Sequence, residues 1–165
     1  MRAMSRPLYR SRQFFGSLRP RVDPSLRDEA MTVLPEPARA LFHSMTLRDQ
    51  QHCLNVYLRL RDAGHDDPDL LAAALLHDCG KGDIELWHRG VFVLLHSAAP
   101  ALLRRVTREG DSASWRAALY RSLHHEELGA QLALAAGCSD RTVALIRGDT
   151  GDPALAELHA ADEAS

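Results

Sequence analysis

The sequence predicts an all-α fold, a single helical bundle of about six to eight helices. Apolar residues recur at helical spacing through most of the chain, with almost no alternating strand pattern. Residues that start and stop helices bracket those segments: Asp-Pro or Ser before them, Gly after them. The chain has 165 residues, 45 % hydrophobic and 25 % charged, which suits one domain with a real core.

Residues 1–36 read as an N-terminal arginine-rich arm followed by a short helix. The first 22 residues hold six arginines and no acid, interleaved with Tyr9, Phe14, Phe15 and Leu18. That pattern suits an arm laying its aromatics on the domain. "DPSL" (23–26) offers Asp23 as N-cap and Pro24 at the first helical position. "LPEP" (34–37) breaks that helix, and the main domain is expected over 37–165. Short helices follow over 37–47 and 49–63, the second stopped by Gly64. "DDPDLLAAALLHDCG" starts at Asp67 and Pro68, ends at Gly80, and is apolar nearly all round, so it should be the buried central helix. Residues 89–108 form one helix kinked at Pro100, or two. A long helix runs over 113–136 to Gly137. Ser139 caps a short one to Arg147, ended by Gly148, and Asp152-Pro153 open the last.

Charge and composition exclude some functions. A formal charge of −2 gives no basic field for nucleic acid. The longest apolar run, "VFVLLHSAAPALL" (91–103), is too short to span a bilayer. No signal-peptide pattern opens the chain. Cys53, Cys79 and Cys138 are scattered and odd in number, which reads as reduced thiols in a cytoplasmic protein.

Helix register then places polar side chains where apolar ones belong. His52 shares a stripe with Val56 and Leu60. In the central helix Leu70, Ala74, His77 and Lys81 share one stripe, with Asp78 beside it. Leu155, Leu158, His159 and Asp162 fall at i, i+3, i+4 and i+7 of the last helix. Inward charges are costly unless paired, protonated or bound to metal. Convergence of His52, His77, Asp78 and Asp162 on a divalent cation is one account, and N/O donors without an obligatory thiolate suit Mn, Fe, Ni, Zn or, less well, Mg. Internal pairing is the other: histidines satisfied in the core, and Lys81 joined to Asp78, Asp83 or Glu85. Lys81 is the sole lysine in a chain of arginines.

The motifs "QHCLNVY" at His52, "ALLHDCGKGD" at His77-Asp78, "HHEELGAQLA" at 124–133 and "LHAADEAS" at Asp162 resemble the HD-domain metal-dependent phosphohydrolase superfamily, in its HDIG-like subgroup. "HDCGK" is similar to that subgroup's HDIGK, with Cys79 in the isoleucine position. The resemblance covers roughly residues 40–165 and implies a single HD-domain bundle. It implies that His52, His77, Asp78 and Asp162 ligate the metal. It further implies that Asp78, Lys81 and His125 are catalytic, and that Lys81, His124 and His125 contact the substrate phosphate or protonate the leaving oxygen. Two-metal members carry a histidine pair further on. The nearest stretch here, "LIRGDTGD" (145–152), has none, Asp149 compensates only in part, and one metal is expected. The implied reaction is hydrolysis of a phosphoester of a small substrate, by default a nucleotide. The alternative is a non-catalytic metal- or nucleotide-binding sensory or scaffold module. Arg104, Arg105 and Arg147 are further phosphate-binding candidates, and Trp87 and His88 candidates for a substrate mouth, though plain surface and core roles suit these residues as well.

Overall fold

The computed structural model describes residues 24–82, 107 and 115–165. Among these the chain is all-α, with seven α-helices, two short 3-10 turns and no strand. The helices are α1 (Pro24–Ala30), α2 (Glu36–Ser44), α3 (Leu47–Asp62), α4 (Pro68–Leu76), α5 (Trp115–Ala135), α6 (Asp140–Arg147) and α7 (Ala154–Glu163). The 3-10 turn Met31–Val33 extends α1, and Cys79–Lys81 follows α4. Several expectations lie outside the described residues: the arm over 1–22, the Asp23 cap, the helix over 89–108 apart from Thr107, and Asp83, Glu85, Trp87, His88, Arg104 and Arg105. Among the described residues no helix is long and apolar enough to cross a membrane.

α4 forms the centre because its sequence gives it no polar face. The Asp67 carboxylate accepts from the N–H groups of Asp69 (3.0 Å) and Leu70 (3.5 Å), and Pro68 sits where its missing N–H costs nothing. Every residue from Leu70 to Leu76 is buried. Each leucine there contributes about 1.5–3 kcal/mol by leaving water. α3, α6 and α7 pack against α4. Phe42, Leu54, Leu60 and Leu145 are fully buried with it, and Ala30, Met31 and Leu34 join the same core.

The helix ends follow local chemistry. The Thr46 hydroxyl accepts from Asp49 N–H, so α2 stops at Ser44, short of the expected 47, and α3 starts at Leu47. Gly64 (φ 89°) and Gly137 (φ 81°) turn the chain after α3 and α5 in the left-handed region. There the N–H groups of His65 and Cys138 reach back to the carbonyls of Leu60 and Ala133. Asp152 Oδ1 accepts from Ala154 N–H and starts α7.

One correction matters for function. The central helix was expected to run to Gly80, but α4 ends at Leu76. Asp78 (φ −97°, ψ −1°) leads into the tighter 3-10 turn, where Lys81 N–H bonds the Asp78 carbonyl at 3.0 Å. The cause is the neighbour. Gly80 lies flat on α5, so close that a Cβ there would stand 2.0 Å from the His125 carbonyl oxygen. α5 itself kinks at His124 (φ −118°, ψ 17°).

Candidate metal centre

Three elements bring their polar side chains to one place. His52 projects from α3 on the stripe that buries Val56 and Leu60. His77 is the first residue past α4, and Asp162 lies in the last turn of α7. Their donor atoms all lie within 4.8 Å of one another. His52 Nε2 and His77 Nε2 are 3.3 Å apart, and Asp162 Oδ1 is 2.8 Å from the first and 3.5 Å from the second. Asp78, only 3 % exposed, stands 3.6 Å from His77 Nε2 and 3.9 Å from His52 Nε2.

The tautomer of His77 follows from its partner. Its Nδ1 is 3.0 Å from the Ala74 carbonyl, which can only accept, so Nδ1 carries the proton. Nε2 then turns its lone pair on the His52 nitrogen and the two carboxylates. Two facing nitrogens between carboxylates need a positive charge between them, a proton or a metal ion. Burial opposes the imidazolium of His77, and the sulfur of Cys53 with the carboxylates of Asp162 and Asp78 outweighs it, so its pKa stands well above 6.5. The bonds to His52 and His77 hold the Asp162 carboxyl far below the usual carboxylate range. Burial would raise Asp78, but His77, Lys81 and His52 reverse this and hold it at about 2. The donors are two imidazoles and two ionised carboxylates, one buried and one 42 % exposed, which fits a borderline or hard divalent cation with an open side.

Lys81 Nζ is 2.5 Å from Asp78 Oδ1, so the internal ion pair is formed. Burial and then the charge of Lys81 lower the pKa of His125, which places its ring in the field of Lys81 and Asp78. Its Nδ1 is 3.1 Å from the Ser122 carbonyl. His124 is exposed, with its ring centroid 4.4 Å from that of Tyr120, and joins no part of the cluster. His159, which shares the spacing of Leu155, Leu158 and Asp162, is exposed, and Leu158 and Ala161 are the residues α7 buries. Asp149 is exposed, and Arg147 bonds Glu127 at 2.7 Å.

Two residues near the cluster carried no signal in the sequence. Cys53 Sγ lies 3.8 Å from His77 Nδ1, although its neighbour in sequence, His52, approaches the other edge of that ring. Arg121 Nε donates to the Lys81 carbonyl at 3.3 Å. It also borders a cavity of about 320 Å³ lined by Gly80, Gly82 and Leu128 among others. Comparison of the chain with protein-family models, with curated proteins and with solved structures returns no match.

Proposed function

We propose that the chain is a metal-dependent phosphohydrolase that cleaves a phosphoester of a small phosphorylated substrate, such as a nucleotide. His52, His77, Asp78 and Asp162 would hold one divalent cation. The observation that carries this reading is the facing pair of Nε2 atoms, 3.3 Å apart, with Asp162 against both. A cation bound there would supply Lewis acidity to a water and to a phosphoryl oxygen. The bond to Ala74 would orient His77 as a ligand, the usual role of a partner on the far ring nitrogen. Lys81 donates one ammonium N–H to Asp78 and would keep two for phosphate oxygens. His125 is held neutral with its proton on Nδ1, facing Ser122. Its Nε2 therefore offers a lone pair, which suits a base better than the proton donor the resemblance implies.

The test has two steps. Metal content is measured by inductively coupled plasma mass spectrometry on untagged protein prepared without chelator, then release of phosphate or nitrophenol is followed with mono- and diester substrates. One equivalent of metal and metal-dependent turnover are expected. Lys81→Ala should keep the metal and lose most of the turnover, and unchanged turnover would remove Lys81 from the mechanism. A second reading, a metal-binding sensory or scaffold module, draws on the Lys81–Asp78 pair and on the lack of a histidine in 145–152. One equivalent of metal with no turnover on any ester would favour it.

A further inference from the structure

We propose that Cys53, His77 and Asp78 form an alternative, thiolate-containing cation site that captures a thiophilic dication, such as Co²⁺, Zn²⁺ or Cd²⁺, on the inner side of the His77 ring. The inference rests on the reading of His77 and Asp78 as metal ligands and asks which further atom they recruit. One sulfur, one nitrogen and one carboxylate oxygen from these residues lie within 4.8 Å of one another. Cys53 is fully buried on α3, one residue past His52, and its sulfur faces the Nδ1 edge of His77 at 3.8 Å. His52, Asp162 and Asp78 meet the Nε2 edge of the same ring, Asp78 Oδ1 at 3.6 Å. His77 thus stands between an N/O donor set and the Cys53 sulfur, with the Asp78 carboxylate within reach of both.

Nδ1 is occupied by the Ala74 carbonyl, a single hydrogen bond. A cation on that edge replaces it: the thiol releases its proton to solvent, and the ring releases its Nδ1 proton while Nε2 is protonated, so a neutral His77 ligates at one edge at a time and the two donor sets fill as alternatives. Softness then divides the two sets. Mg²⁺ and Mn²⁺ prefer the oxygen-bearing Nε2 side, whereas Co²⁺, Zn²⁺ and Cd²⁺ gain from the sulfur. The other two cysteines have different surroundings. Cys79 Sγ faces the Gly129 carbonyl at 3.6 Å, and Cys138 sits beyond the end of α5.

Cobalt substitution reads the sulfur directly. Chelator-treated protein is titrated with Co²⁺ and its spectrum recorded. A near-ultraviolet thiolate-to-cobalt charge-transfer band is expected, absent in Cys53→Ala and retained in Cys79→Ala and Cys138→Ala. If Cys53→Ala does not fold, the wild-type band and its survival in the other two variants still assign the sulfur. Co²⁺ binding with visible bands alone would overturn the thiolate site and leave the His52–His77–Asp162 centre standing. No Co²⁺ binding at all would overturn both.

Discussion

Asp78 concentrates the electrostatics of the molecule in one side chain. It is buried, yet three cationic or proton-bearing partners hold its carboxyl at about 2. In the unfolded chain it titrates near 3.8. A group whose pKa falls on folding stabilises the fold above its unfolded value and loses that contribution as pH drops through the folded one. In chelator-treated protein Asp78 therefore contributes on the order of 2 kcal/mol at neutral pH, lost between about pH 4 and pH 2. Asp78→Asn should lower the urea midpoint at pH 6, and the gap to wild type should close toward pH 2. A gap constant across that range would mean that the ion pairs do not carry the effect. His77 has the opposite sign. Its pKa is raised, so its contribution is complete below about 6.5 and fades as pH rises through the folded value.

At the scale of elements, the 3-10 turn Cys79–Lys81 is held by a backbone contact that admits no side chain. A Cβ on Gly80 would lie 2.0 Å from His125 O and 2.5 Å from Gly129 N, both main-chain atoms that cannot rotate away. Gly129 faces the same contact from α5, but its nearest neighbours would stand at 3.3–3.4 Å, and two of the three are side-chain atoms. Gly80→Ala should cost on the order of 3 kcal/mol in urea unfolding. Gly129→Ala should be nearly neutral, because a helix propensity gain of about 1 kcal/mol offsets mild crowding. Equal losses in the two variants would contradict this asymmetry.

The same contact separates what the sequence makes legible from what it does not. Asp67-Pro68, Ser139 and the glycines at 64, 137 and 148 mark helix ends through local chemistry, and the structure uses each of them. The inward placement of His52 and Asp162 is legible because helical periodicity assigns faces. The end of α4 at Leu76 is not, because a partner helix remote in sequence sets it. Cys53 was missed because on α3 it points about 100° away from His52. It rejoins the cluster only because the His77 ring reaches across with its second nitrogen.

The candidate ligands come from positions far apart in sequence, and α7 brings one of them on a helix that buries little of itself. It buries only Leu158 and Ala161. Its approach is fixed by Arg141, which bonds Asp152 and Asp67 at 2.6 Å each and so ties the lead-in of α7 to the start of α4. Its far end is held by Arg59 Nε on Ser165 Oγ at 3.0 Å. Between these polar ties, Asp162 on His52 and His77 joins α7 to α3 and to the end of α4. A cation shared by the same residues would cross-link all three elements, and a ligand that binds only the folded state stabilises it by mass action. At one hundred times its dissociation constant this amounts to about 2.7 kcal/mol. With roughly 2–4 °C per kcal/mol for a chain of this size, Tm should rise by about 5–10 °C on adding the resident metal to chelator-treated protein. Asp162→Asn should lose most of that rise, and hydrogen exchange in α7 should slow more on metal addition than exchange in α6. A metal that raised Tm equally in the variant would be binding somewhere other than the cluster that joins α7 to the bundle.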